Sequence, residues 1–475
     1  MCKKEMSPKE NFNVIVNKTE IVAAVLPIQE HWLPLSNLDL LLPPLDVGVI
    51  FCYLNPIIIN NLEFNSIIKI LKTSLSETLV SYYAFSGEIV QNSSGEPEIL
   101  CNNSGVYFVE AFADVDLKEI NFYNPDESIE GKFVPKIKHG VLGVQVTQLK
   151  CGGIIVGCTF DHRVADAYSA NLFLVSWSEL AQSKPLSQLP SFRRSPLFPR
   201  HPGYYDGSVD GLYVPIPIVP LRKLETLNPD DQVISRIYYV TGDKIGHIQS
   251  LANCCDRKGA KRYQRSKLES FSAFLWKTIA CGVNVETSNF KNFRFGIVVD
   301  GRTRLMSSNV DDDDNRGKWV KGYFGNVLSI PFGEKKIDEL KAKSLDWTAN
   351  AVHEFLDIAK TEEHFLGLID WVEAHRPKPS MAKIYVTDDD GPTVVVSSGQ
   401  HFSFKMVNFG WGDPIFWSYH FPWAGKSGYV MPMPSPKGNG DWIVYMHLLK
   451  WQMEIIEASA FHVFEPVTAN YLNLI

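Results

Sequence analysis

Between residues 183 and 222 the chain carries eight prolines and almost no hydrophobic periodicity, and on either side the alternation of strand-like and helix-like patterns starts afresh. Proline fixes φ and removes a backbone donor, so such a stretch is poor material for a helix or an inner strand. A structureless run of this length is also unusual inside one compact domain. It reads as a crossover linker, 183–222, between an N-terminal domain, 1–182, and a C-terminal domain, 223–475. A chain of 475 residues at ~100–200 residues per domain suits that division.

Each half mixes both periods. Residues 12–24 alternate apolar and polar as one or two strands. Residues 66–80 carry Ile67, Ile68, Ile70, Leu71, Leu75 and Leu79 at helical spacing, an amphipathic helix. Residues 141–160 read as two strands joined at Gly152-Gly153, a hairpin signal, and the pattern turns helical from Ala167 to about Gln182. In the second half, 232–240 and 293–300 look like strands. A helix is expected over 268–281, opened by the capping-box pair Ser266 and Glu269. Residues 336–375 look helical, 393–407 and 442–449 look like strands, and Asp311 to Asp314 form a solvated acidic loop. The fold class is α/β, with mixed sheets and helices in both halves.

Composition excludes several partners. Net charge is −7 without a basic stripe, which gives no reason to expect nucleic acid. The longest apolar candidate, "LDLLLPPLDVGVIFCYL", is broken by two prolines and two aspartates, so no membrane span is expected. The eight cysteines lie scattered without a CxxC pair, which favours free thiols in the cytoplasm over disulfides or a zinc site. The 28 Phe, 18 Tyr and 11 Trp suit both bulky core packing and a pocket for a flat apolar ligand.

One stretch carries chemistry. In "CTFDHRVADA", residues 158–167, an apolar strand pattern ends on ionisable side chains and hands over to a helix. A histidine in such a chain is usually a surface or satisfied core residue. The end of a strand, however, is where α/β sheets tend to present reactive groups. An imidazole poised near neutral pH can take a proton from an alcohol or amine as that atom attacks an acyl carbon. Asp166, four residues after His162, can orient the imidazole or pair with an arginine. Metal ligation fits less well, since no further ligands stand at familiar spacing. No GxSxG or Cys/His nucleophile pattern is present, which favours direct transfer over a covalent acyl-enzyme.

"HRVAD" (His162 to Asp166), "YFGN" (Tyr323 to Asn326) and "NFGWG" (Asn408 to Gly412), in that order across nearly the whole chain, resemble the plant BAHD acyl-CoA-dependent acyltransferases. The resemblance implies a monomer of two chloramphenicol-acetyltransferase-like domains with a solvent channel between them. It implies His162 as general base, acyl-CoA as co-substrate and no permanently bound cofactor or metal. Asp166 would then be structural, paired with Arg302 or Arg304. The motif Asn408, Phe409, Gly410, Trp411, Gly412 would shape the CoA-binding domain far from the chemistry. Asn408 stands where the family has Asp, and Gly399 stands where it commonly has a Trp. Ser397 remains as a donor to a developing oxyanion, an interaction whose removal typically costs ~10²–10³ in rate. Ala167 replaces a frequent Gly without loss, since a helical first turn tolerates Ala better.

Lys261, Arg262, Arg265 and Lys267 precede the helix at 268–281, within the domain the resemblance assigns to CoA. Cations at a helix N-terminus suit CoA phosphates, and the ordinary alternative is a solvated basic loop. The segment "HWLPLSNLDLLLPPLDVGVIFCY" resembles the branch of coniferyl alcohol acyltransferases, which implies a small aromatic alcohol as acceptor and acetyl-CoA as donor. A hydroxycinnamoyl donor acting on shikimate or quinate is the nearest alternative. A lyase, an isomerase or a non-catalytic binding protein on the same fold remains the alternative of another class.

Overall fold

Alternating hydrophobicity in the first half becomes a six-stranded mixed sheet. Its strands are β1 (Val14–Val22), β2 (Asp46–Tyr53), β3 (Val106–Ala113), β4 (Leu142–Leu149), β5 (Ile154–Asp161) and a late strand, Phe416–His420. The order across the sheet is β1, β3, β4, β5, β2 and the late strand. The computed structural model describes residues 11–56, 61–216, 232–253, 264–284, 290–305, 321–386, 391–421 and 425–475.

β4 and β5 form the expected hairpin, antiparallel from Leu142 opposite Phe160 to Gln148 opposite Ile154. Its turn needs a left-handed residue, and Gly152 supplies it at φ +81°. All eight residues of β5 are buried, as befits a central strand covered on both faces. Helices α1 (Phe64–Ser81) and α2 (Ala167–Ala181) pack together in this layer, where the Trp177 indole donates to the Leu71 carbonyl at 3.1 Å. Of the residues that the helical spacing marks, Ile67, Ile68, Leu71, Leu75 and Leu79 are buried in α1 together with Ser74 and Thr78, and Ile70 is half-buried.

The second half builds a seven-stranded sheet in the order Phe332–Lys336, Asn292–Ile297, Thr393–Val396, Gly428–Pro434, Trp442–Leu449, Val233–Val240, Glu465–Pro466. Helix α3 (Lys267–Gly282) covers it, opened by Ser266. The Ser266 hydroxyl accepts from the Glu269 amide while the Glu269 carboxylate accepts from the Ser266 amide, a full capping box.

Three regions differ from the sequence expectation. The crossover is ordered over its described part. It contributes short helices at Ser195–Leu197 and Ser208–Leu212 and a strand, Tyr213–Pro215, paired with Ser380–Ala382. Leu197, Val209, Leu212 and Tyr213 are its buried anchors, and isolated anchors of this kind show no periodicity. Within 393–407 only Thr393–Val396 is a strand, because the chain then bends through Gly399 into a loop. The division at residue 223 also leaves out the late strand. Phe416 pairs with Cys52 and His420 with Gly48, so the second half completes the first sheet. Asp311 to Asp314 lie outside the described residues.

Candidate active site

The strand-to-helix handover sits where the two halves meet. β5 ends at Asp161, and α2 begins after Asp166, its N-cap, whose carboxylate accepts from the Ser169 amide at 2.9 Å. Between them His162 is half-buried and lines a cavity of about 940 Å³ with walls from both halves. Nδ1 is buried without a hydrogen-bond partner among the described residues, and the residue lines the cavity. The ring stands edge-on to Phe421, with centroids 6.2 Å apart.

Two networks hold this loop. In the first, Arg302 reaches Asp166 through both guanidinium ends, Nη1 to Oδ2 at 2.7 Å and Nη2 to Oδ1 at 3.1 Å, with both residues almost fully enclosed. Arg302 also donates to the Ser169 hydroxyl and the Gly325 carbonyl. Burial alone would lower the Arg302 pKa, but Asp166 and Asp300 outweigh it and hold it above the usual range. The sequence left two partners open for Asp166, and the geometry pairs it with Arg302. The four-residue spacing does not turn it toward the imidazole, because the helix starts after it.

The second network runs through "YFGN". The Asn326 amide group donates to the His162 carbonyl at 2.9 Å and to Asp39 Oδ1 at 2.9 Å. Asp39 is fully buried and accepts from Ser36 through amide and hydroxyl. Arg194, from the crossover, donates to the Tyr323 hydroxyl at 2.5 Å and the Phe324 carbonyl at 2.6 Å. The His162 amide itself donates to the Leu45 carbonyl at 2.9 Å. Burial pulls the His162 pKa below the ordinary imidazole value, against opposing pulls from its own carbonyl, Asp166, Asp161 and Asn326. Such a ring stays neutral near pH 7 and can accept a proton.

A family model described as the Transferase family matches residues 12–463. The chain belongs to that family, the BAHD acyltransferases. Among similar BAHD proteins, omega-hydroxypalmitate O-feruloyl transferase of Arabidopsis thaliana is 26% identical over 73% of this chain and 72% of that one. Shikimate O-hydroxycinnamoyltransferase of Nicotiana tabacum is 25% identical over 92% of this chain and 96% of that one. The crystal structure of vinorine synthase shares the fold, with a TM-score of 0.69 at 19% identity, covering 96% of this chain and 100% of the other.

The remaining BAHD motif residues sit apart from His162. Asn408 Oδ1 accepts from the Gly410 and Gly412 amides, at 2.9 and 3.3 Å, and its Nδ2 donates to Asp413 at 3.0 Å. The amide thus closes a turn in which Gly410 and Gly412 have φ of +104° and +117°. That turn delivers Phe409 and Trp411 into the first-half core beside Tyr53 and Trp177. The expectation that this motif shapes the CoA-binding half is therefore corrected: its rings pack under the first sheet, because the late strand that follows belongs there.

Ser397 lines the cavity, with its hydroxyl against Tyr429, whose phenol burial pushes up to about 12. Arg304 lines it as well. Of the basic patch, Lys267 reaches the cavity, next to Ser266, whereas the Arg265 guanidinium is engaged with Asn350 and does not line it. Lys261 and Arg262 lie outside the described residues. Lys360, which the sequence did not single out, lines the cavity with Lys267. Among the described residues no helix is long and apolar enough to cross a membrane, and no group of three or more His, Cys, Asp and Glu could hold a metal.

Proposed function

We propose that this BAHD enzyme transfers an acyl group from acyl-CoA to the hydroxyl of a small aromatic alcohol, with coniferyl alcohol and acetyl-CoA as the leading pair. The observation that carries the reading is a neutral His162 clamped at the wall of a cavity shared by both halves. The imidazole takes the proton from the acceptor hydroxyl as the hydroxyl oxygen attacks the thioester carbonyl. The tetrahedral oxyanion forms beside the Ser397 hydroxyl, a donor that can turn from Tyr429. Collapse breaks the carbon–sulfur bond, and the CoA thiolate leaves with the proton returned from His162. Asp166 and Arg302 act as the frame of the loop, not as proton carriers.

The walls support the substrate class. Phe402, Phe421, Tyr385, Tyr419 and Tyr429 offer broad aromatic faces to a flat ring. Lys267 beside the α3 N-terminus, together with Lys360, offers positive charge for CoA phosphates. The measurement is release of CoA thiol from acetyl-CoA or p-coumaroyl-CoA against coniferyl alcohol, shikimate, quinate, benzyl alcohol and spermidine, beside His162→Ala. Release that needs both an alcohol and His162 is expected. Shikimate or quinate ranking above coniferyl alcohol would replace the acceptor, and release indifferent to His162 would remove the mechanism.

A further inference from the structure

Several charged groups of the cavity wall already have partners. Asp166 is held by Arg302, Glu269 is held by His353 and the Ser266 amide, and Lys360 is paired with Asp357. Among the described cavity residues His162, Arg302 and Gln400 each keep a buried nitrogen without a partner, and Gln400 is the neutral amide of the three. It lines the cavity, its Nε2 is buried, and that donor meets no partner among the described residues. A buried amide N–H without an acceptor is costly, and in a ligand cavity it marks a place where a bound molecule supplies the missing oxygen.

The position of Gln400 says which molecule. It stands in the bend after Thr393–Val396, where the Phe402 amide donates back to the Gly399 carbonyl at 3.1 Å. A side chain at Gly399 would run into Met431, Met433 and Phe402, so that position is closed and the bend presents Gln400 instead. Phe402 lies 6.2 Å from Tyr419, ring to ring, and the same strand carries on to Phe421, which faces His162. Gln400 therefore belongs to the aromatic wall that continues to the imidazole. A neutral amide donor on such a wall matches a neutral oxygen, whereas a carboxylate would call for a guanidinium.

We propose that Gln400 sets acceptor specificity by donating a hydrogen bond from Nε2 to a neutral oxygen substituent, phenol or methoxyl, on the ring of the acceptor alcohol. The inference rests on the acyl-transfer reading above and narrows it: the acceptor is an oxygenated arylalkyl alcohol that reaches from His162 to Gln400. A site built around a donor discriminates against the analogue that lacks its acceptor, because that analogue leaves the donor unpaired.

The test compares coniferyl alcohol with cinnamyl alcohol, which has the same side chain and no ring oxygen, using acetyl-CoA and thiol release. The wild-type enzyme is expected to favour coniferyl alcohol by roughly 10- to 100-fold in kcat/KM. Gln400→Met removes the donor at similar length, and Gln400→Glu removes it while keeping the planar shape. Both are expected to bring the ratio of the two alcohols toward one, with KM for acetyl-CoA unmoved. An unchanged ratio in active variants, or a raised KM for acetyl-CoA, would overturn the role of Gln400 and leave acyl transfer standing. No thiol release by the wild-type enzyme with any alcohol would overturn both.

Discussion

Asp166→Asn separates the two roles that the carboxylate of the HRVAD motif can play. Asparagine caps a helix about as well as aspartate, so the bond from the Ser169 amide at 2.9 Å survives. The charge does not. Arg302 then sits 3% exposed, with the half-buried Asp300, 3.3 Å away, as its remaining carboxylate among the described residues. Removing one partner of a buried pair costs about 3–5 kcal/mol, because the other charge stays desolvated. In a unit of this size that lowers the thermal midpoint by roughly 6–20 °C. Asp166→Ala should cost about 1 kcal/mol more through the lost cap. The double variant with Arg302→Met should cost clearly less than the two single changes together, since it leaves no lone charge. The assay is a thermal melt of the parent, the three single variants and the double variant, beside kcat and KM of the folded fraction at 25 °C. A melt within 2 °C of the parent, with kcat down by three orders of magnitude, would refute the structural role and make Asp166 the group that orients His162.

Three further outcomes follow from the same geometry. The rising limb of kcat/KM with pH should fall below the ordinary imidazole value of about 6.5 and be flat at neutrality, because burial lowers the His162 pKa and the neutral ring is the base. A limb centred above 7 would contradict it. Asn326→Ala, which deletes the contacts to the His162 carbonyl and Asp39, should reduce kcat roughly 10- to 100-fold with both KM values nearly unchanged. A pure KM effect would sink that assignment. His364, buried beside the Ser329 hydroxyl, has its pKa pushed down to about 4. The unfolded chain therefore takes up this proton first, and stability should fall by up to about 3 kcal/mol as pH drops from 6.5 to 4. His364→Gln should remove that part of the slope, and parallel pH–melting curves for variant and parent would rule the idea out.

Most of the frame of the site is marked by local sequence signals. Stripes at helical spacing mark α1 and α2, the Ser266 and Glu269 box marks the start of α3, and the Gly152-Gly153 pair marks the hairpin that delivers His162. Arg302 is one of only two candidates that the "DGRTR" stretch offers. What stayed hidden depends on contacts between distant segments. Asn326 meets the His162 carbonyl across 164 residues of chain and Asp39 across 287, and no periodicity encodes such a meeting. "YFGN" is visible as a string of letters, but its work as a clamp is not. Gln400 is invisible for a related reason: an unpartnered donor is defined by what the folded wall fails to supply.

The late strand, Phe416–His420, has a consequence for how the protein is made. β2 waits for a neighbour from near the far end of the chain, and the Tyr53 hydroxyl likewise waits for the Val407 carbonyl, 354 residues onward. While the ribosome is still translating, the nascent first sheet therefore ends on an apolar edge with open hydrogen-bonding groups, the kind that pairs with other chains. The N-terminal half released alone should be a poor soluble product. Co-expression with the remainder of the chain is the natural way to recover it.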